Sequence, residues 1–413
     1  MYCMIHDKLL CLEPIMLSPS PLINPEYIKQ TSTHDGVSNP FYFPLDFDTS
    51  GQLYIADEMK VVCKFLFFDS GNNQTLLSST KELEKLVQWM WRIKNKSLAG
   101  ATREDGLEYI SFIKSPSSNW IGSKPYKKYL PDGLPNPQWR PFLNRRSGNY
   151  EISESALQKS ITVVDRFYRY MHDEGLTQIN PFTGIRKKIS LIRTTQEVSE
   201  VRRITNFQWD YVIRSANELA DSDGKYERHL FVLIMLKTHF LRVSDLVPYD
   251  QSVPRMNDFQ RMPAGWVLVV IGKGNKKRVV PMKDVGMEAL KRYRLFLGLS
   301  PYPLPNDDTY LLPSSNRVKK PFISTTREIQ RIVEFVFKHA VNKMLEDGLH
   351  EETVELQSAS SHWLRHTGIS EDVKERNLND VRQDAGHSSI HTTSRYIDST
   401  LQDRIESAKN QPL

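Results

Sequence analysis

Four Ser and Thr residues offer themselves as helix starts, each followed three residues on by a side chain able to reach back to its backbone N–H, the spacing of a helix capping box. The pairs are Ser79 with Glu82, Thr102 with Asp105, Thr205 with Gln208 and Thr325 with Glu328. Apolar residues at helical spacing follow them: Leu83, Leu86, Val87, Met90 and Ile93 after the first, Leu107, Ile110 and Ile113 after the second, and Ile329, Ile332, Val333, Val336, Ala340 and Met344 after the last. Leu157, Ile161, Val164, Tyr168 and Met171 form another stripe, which Gly175 ends. Only one stretch reads as paired strands. Residues 265–271 are β-branched and apolar, Gly272-Lys273-Gly274-Asn275-Lys276 reads as a turn, and residues 278–281 return. The chain is therefore expected to be mainly helical with a small antiparallel sheet.

The breaks in this pattern suggest domains. In residues 1–75, Pro14, Pro19, Pro21, Pro25, Pro40 and Pro44 interrupt any long helix, and residues 61–68 read as a strand or a short buried helix. No chemistry is legible in this extension, which reads as a segment packing on its neighbour, with an accessory DNA-binding arm as the alternative. Residues 76–187 read as a helical domain with a Pro-rich insert at 115–148, residues 188–203 as a basic linker, 204–397 as a second domain, and 398–413 as a polar tail with Leu401 and Ile405 on one side.

At 413 residues and 39% hydrophobic content, the chain can build two or three cores. Its 55 Lys and Arg against 49 Asp and Glu give a net charge of only +6, so a nucleic-acid partner has to be argued from local clusters. In the insert, Lys124, Lys127, Lys128, Arg140, Arg145 and Arg146 face one acid, Asp132, with Trp120, Tyr126, Tyr129 and Trp139 interleaved. That mixture suits phosphate contact with packing on sugar or base, and equally an ordinary solvated loop pinned by its tryptophans. Arg186 and Lys187 lead into the linker, where basic residues can follow a DNA backbone. Cys3, Cys11 and Cys63 make neither a disulfide frame nor a metal site, so a reducing compartment is expected. Residues 1–16 lack the pattern of a signal peptide, and the longest apolar block, residues 231–236, is too short to span a bilayer. A soluble, intracellular protein is expected.

The chemistry gathers near the C-terminus. Ser361-His362-Trp363-Leu364-Arg365-His366-Thr367 is followed by Ala385-Gly386-His387-Ser388-Ser389 and Ser394-Arg395-Tyr396. On a helix His362 and Arg365 share a face while Trp363 and Leu364 turn toward a core. Guanidinium and imidazole donors stabilise charge on a phosphodiester under attack, and a tyrosine beside them is a candidate nucleophile. Each piece alone has a bland reading; their order together does not. Upstream, Arg242 follows a very apolar helix and needs a partner or a ligand, with Asp245 three residues on as the structural candidate. Lys273 sits on the glycine-flanked tip, as solvated decoration or as a proton donor to a departing oxygen.

With Arg242, Lys273, His362, Arg365, His387 and Tyr396 in that order, the chain resembles the tyrosine recombinases of the phage integrase family, which include the Xer type. The likeness rests on Leu-Arg-Val-Ser-Asp-Leu, Gly-Lys-Gly-Asn-Lys-Lys-Arg-Val-Val-Pro, His-Trp-Leu-Arg-His-Thr, Gly-His-Ser-Ser-Ile and Thr-Thr-Ser-Arg-Tyr, over roughly residues 80–400. It implies a helical core-binding domain and a mixed, mostly helical catalytic domain that clamp duplex DNA. It also implies Tyr396 as the nucleophile forming a 3′-phosphotyrosyl link, Arg242 and Arg365 as the phosphate clamp, His362 and His387 as hydrogen-bonding and proton-handling groups, and Lys273 as general acid, with no metal and no ATP. Lys127, Lys128, Arg140, Arg145, Arg146, Arg186, Lys187 and Lys276 are the expected DNA contacts. The expected protein is a DNA-associated cytoplasmic integrase of a mobile element, working as a tetramer on paired sites, with an accessory or directionality factor as a further partner. A type IB topoisomerase and a non-catalytic DNA-binding accessory protein are the alternatives. The chain departs from the family at Thr238-His239-Phe240-Leu241-Arg242, where many relatives have Thr-Gly-Leu-Arg, and at Ala385-Gly386-His387, where Leu-Gly-His is usual.

Overall fold

The computed structural model describes residues 19–25, 28, 54–69, 71, 73–144, 148–185, 202–249, 252–272, 276–314 and 320–397. The chain divides into two compact units, Met1–Glu197 and Val198–Leu413. Among the described residues no helix is long and apolar enough to cross a membrane.

Among the described residues the first unit is built around the helices α1 (Tyr54–Asp69), α2 (Asn73–Gln88), α3 (Arg103–Lys114) and α4 (Glu154–Asp173). Residues 61–68 thus settle as helix rather than strand, because Ile55, Met59, Val62, Phe65 and Leu66 bury one face of α1. Thr102 and Asp105 form the expected capping box of α3. Ser79 and Glu82 do not cap a helix. They lie inside α2, where the Ser79 hydroxyl donates to Asp69 at 3.2 Å and Glu82 accepts from Lys85 at 2.7 Å. A π-helical turn, Trp89–Ile93, continues α2 and buries Trp89, Met90 and Trp91.

The basic insert folds onto this unit through its aromatic residues. Trp120 and Trp139 are buried, and Phe112 meets Trp120 edge-on at 5.2 Å. Two short parallel strands, β1 (Ile121–Gly122) and β2 (Phe142–Leu143), tie its ends together. Lys128 is partly buried, and its ammonium pairs with the buried carboxylate of Glu84 and lies 5.6 Å from the Trp139 ring centroid. Glu84 also accepts the backbone N–H of Leu22 at 2.7 Å, so this ion pair closes a buried polar cluster.

The second unit is arranged around α6 (Glu227–Thr238), which is apolar on every side and buries Leu230 through Leu236. Helices α5 (Asn206–Ser222), α7 (Asp284–Phe296), α8 (Thr326–Glu346) and α10 (Ser361–Glu375) pack against it. The Thr205 and Thr325 capping boxes open α5 and α8 as expected. A short helix, α9 (His350–Ser358), leads into α10. The sheet is antiparallel in the order β3 (Phe259–Met262), β4 (Gly265–Gly272), β5 (Lys276–Pro281), so the expected hairpin carries one further strand. Helices α11 (Leu378–Ala385) and α12 (Ile390–Ser394) lead toward Tyr396. At the crossing of α10 and α6 the helices approach so closely that a Cβ on Gly368 would collide with the Lys237 carbonyl. Glycine at 368 therefore sets how near α10, and the side chains it carries, come to the end of α6.

Candidate active site

Arg365 is the centre of the site. It projects from α10 and is only 2% exposed, a placement that requires its donors to be satisfied by the protein. One guanidinium nitrogen donates to the Phe240 carbonyl, and the other donates to the Ala385 carbonyl at 2.6 Å and to His387 Nε2 at 3.0 Å. Phe240 presents its carbonyl from a left-handed conformation, φ +53°, just past the end of α6. A single side chain therefore joins α10, the turn before Arg242 and the end of α11.

Arg242 follows that turn. Its guanidinium donates to the Gly386 carbonyl at 3.1 Å. The expected pairing with Asp245 takes another form: Asp245 accepts the Arg242 backbone N–H at 2.7 Å, while its carboxylate pairs with Arg278 of β5 at 2.5 Å. Among the described residues no carboxylate is hydrogen-bonded to the Arg242 guanidinium, Asp245 acts on it only at longer range, and Arg278 puts a third guanidinium nearby. Gly386 caps α11 in the left-handed region, φ +63°, and a Cβ there would lie 2.9 Å from the Arg278 side chain and 3.4 Å from that of Arg242. Glycine serves both the backbone conformation and the close approach of two cations.

The hydrogen bonds of His387 assign its tautomer. A guanidinium only donates, so Nε2 must be the lone-pair nitrogen, and Nδ1–H donates to the Thr393 hydroxyl at 2.9 Å. Thr393 is completely buried on α12. Tyr396, 6% exposed, packs with Phe240, Ile369, Val381 and Ala385. Its ring stacks on His387 with centroids 6.0 Å apart and planes 17° from parallel. Its hydroxyl shares a 2.6 Å hydrogen bond with His366 Nδ1, and His362 meets His366 edge-on at 4.3 Å.

Electrostatically, this is a cationic pocket that keeps its imidazoles neutral. Burial, then Arg365 and Arg242, hold His387 down at about 4; burial, then His362 and Arg365, hold His366 at about 4. His362 is lowered in the same way, although part of its ring meets solvent. Burial and the neighbouring guanidinium groups bring Arg365 to about 9, still charged at neutral pH. Burial raises the Tyr396 phenol and the two guanidinium groups oppose that shift. The resting tyrosine is protonated, and an anion entering beside Arg242 and Arg365 meets positive charge that Asp245 offsets only in part.

Five of the six expected catalytic residues, Arg242, His362, Arg365, His387 and Tyr396, therefore share one site, and Lys273 lies outside the described residues. So do Arg145, Arg146, Arg186 and Lys187, and the side chain of Lys276. Lys127 is exposed, whereas Arg140 folds back to donate to the Pro137 and Trp139 carbonyls, both at 2.7 Å. Sequence reasoning did not single out His366, Arg278 or Thr393. His366 had a usable signal, since it stands four residues after His362 on the same helix. Among the described residues no cluster of His, Cys, Asp or Glu is placed to hold a metal ion.

Comparison with known proteins adds three findings. Residues 202–403 match the family model described as the phage integrase family. Curated relatives include the tyrosine recombinase XerD of Rhizobium meliloti (strain 1021), 24% identical over 267 residues that cover 64% of this chain and 76% of the relative, and the TnP I resolvase of Bacillus thuringiensis, 21% identical over 82% of this chain and 94% of the relative. The fold is shared with the XerH site-specific recombinase solved with its difH substrate, TM-score 0.53 at 15% identity over 94% of each chain, and with the Tn1549 transposon integrase solved with circular intermediate DNA, TM-score 0.50 at 15% identity over 84% of this chain and 98% of the other.

Proposed function

We propose, for a chain that belongs to the phage integrase family and is a tyrosine-type site-specific recombinase, that Tyr396 cuts duplex DNA by attacking a backbone phosphate held between Arg242 and Arg365. The Tyr396 oxygen bonds to phosphorus, the P–O5′ bond breaks, and a 3′-phosphotyrosyl ester remains with a free 5′ hydroxyl. A second 5′ hydroxyl attacking that ester reseals the DNA without ATP. The observation that carries this reading is the meeting of Arg365, Arg242, His387 and Tyr396, brought from distant parts of the sequence to one point by hydrogen bonds and ring stacking.

Each group has a task its surroundings suit. Arg365 is held in place before substrate arrives, so charge on the non-bridging oxygens is met without reorganisation. Arg242, whose guanidinium has no carboxylate hydrogen-bonded to it among the described residues, supplies the second fork. His387 fixes the Arg365 plane, and His362 donates from the solvent-facing edge. Lys273, which follows β4 in the chain, protonates the leaving 5′ oxygen. The cations of the first unit that face outward, including Lys127, together with Arg145, Arg146, Arg186, Lys187 and Lys276, contact the DNA backbone. The protein acts as a tetramer on paired sites and is the integrase of a mobile element.

The test is a pool of nicked duplexes with randomised cores, in which loss of a short 5′ fragment traps the covalent intermediate. The expected result is an adduct that maps to Tyr396, disappears in Tyr396→Phe, and leads to strand exchange once intact duplexes are supplied. An adduct on another residue would refute the nucleophile assignment. Relaxation of supercoils without exchange would identify a topoisomerase.

A further inference from the structure

We infer that His366 accepts the phenolic proton of Tyr396 as that oxygen attacks phosphorus, which makes His366 a further catalytic residue; the inference rests on Tyr396 being the nucleophile. The hydroxyl proton has to leave as the new bond forms, and the Tyr396 oxygen lies 2.6 Å from His366 Nδ1, close to in-line transfer distance. The other imidazoles are placed differently. His387 turns its flat face to the Tyr396 ring and engages its nitrogens with Arg365 and Thr393. His362 meets the His366 ring rather than the phenol. Among the described residues, His366 is the group hydrogen-bonded to this hydroxyl.

The surroundings keep His366 ready for this work. Burial, His362 and the Arg365 guanidinium keep its ring neutral, so the Nδ1 lone pair is available at working pH. A phosphodiester entering beside Arg365 brings negative charge that offsets the guanidinium and raises the basicity of His366 at the moment it is needed. His366 also adjoins Arg365 on α10, so phosphate clamp and proton acceptor share one rigid element. In the cleavage step the Tyr396 O–H bond breaks and its proton passes to His366 Nδ1. The O–P bond forms, the P–O5′ bond breaks with its electron pair, and the 5′ oxygen takes a proton from the general acid. Resealing reverses each move, with the imidazolium returning the proton to the phenol.

The test measures single-turnover adduct formation on a nicked substrate at saturating protein for wild type, His366→Phe and His366→Asn. The asparagine amide keeps a hydrogen-bonding atom near the Nδ1 position but takes up no proton, so it separates proton transfer from mere placement. Both variants are expected to bind the duplex as wild type does and to slow adduct formation at Tyr396 by about 100-fold or more. A bridging 5′-phosphorothiolate, whose sulfur leaves without a proton, is expected to restore a Lys273→Ala protein while leaving the His366 defect in place. His366→Asn within about threefold of wild type would overturn the inference, as would rescue of the His366 variants by the sulfur substrate. A wild-type adduct on a residue other than Tyr396 would instead overturn the reading on which the inference rests.

Discussion

Phe240 occupies a backbone conformation that ordinarily belongs to glycine, and truncating it should invert the usual ranking of alanine and glycine. Its φ of +53° is left-handed and its side chain is 1% exposed within the cluster that includes Tyr396, Ile369 and Val381. Removing a buried phenylalanine ring costs about 3–5 kcal/mol. The lower end applies here, because the ring already lines a cleft of about 340 Å³ that water can enter once it is gone. Alanine would keep the left-handed penalty of about 1–2 kcal/mol, and glycine would lose it. Glycine normally costs about 0.5–1 kcal/mol more than alanine through its freedom in the unfolded chain, so the balance favours Phe240→Gly over Phe240→Ala by about 1 kcal/mol. For a unit of this size that is about 2–4 °C in melting temperature, readable by calorimetry on the full chain. Both variants should melt below wild type, with the glycine variant above the alanine one. Equal melting points, or alanine above glycine, would show that the Phe240 carbonyl reaches Arg365 without a left-handed residue.

Two further outcomes follow from the site. Thr393→Val removes the acceptor that fixes the His387 tautomer, so adduct formation should slow by about tenfold with duplex binding unchanged, as read in the single-turnover assay. Stability should fall on acidification between pH 6.5 and 4. His366 and His387 sit at about 4 and the buried His239 at about 3, whereas unfolded imidazoles titrate near 6.5. Through that window the unfolded chain binds more protons, so stability is full above it and lost as pH drops, which urea midpoints at pH 7 and pH 5 would register.

Local signals were readable in the sequence where the structure satisfies them locally. Thr102, Thr205 and Thr325 cap helices because the partner of each hydroxyl is three residues away. Ser79 carries the same spacing and caps nothing, since Asp69 from the preceding helix takes its hydroxyl. The four-residue strand β3 has too little alternation to announce itself, and its pairing with β4 supplies the order. At the site, Arg242, His362, Arg365, His387 and Tyr396 were legible because their residue types have few other uses together. Arg278 and Thr393 were not, because their meaning depends on Asp245, 33 positions away, and on which nitrogen of His387 is protonated. The pairing of Lys128 was not legible for the same reason: its buried anion, Glu84, lies 44 positions away.

Arg365 acts as a rivet between three strands of chain before any DNA is present, since two of its bonds end on the carbonyls of Phe240 and Ala385. Removing it strips buried carbonyls of their donor, so an inactive Arg365 variant reports lost architecture along with lost chemistry. On the proposed mechanism, a change that silences the enzyme while sparing its shape is expected at the nucleophile, as in Tyr396→Phe. A disabled descendant that still folds would carry this guanidinium as a relic of a reaction it no longer performs.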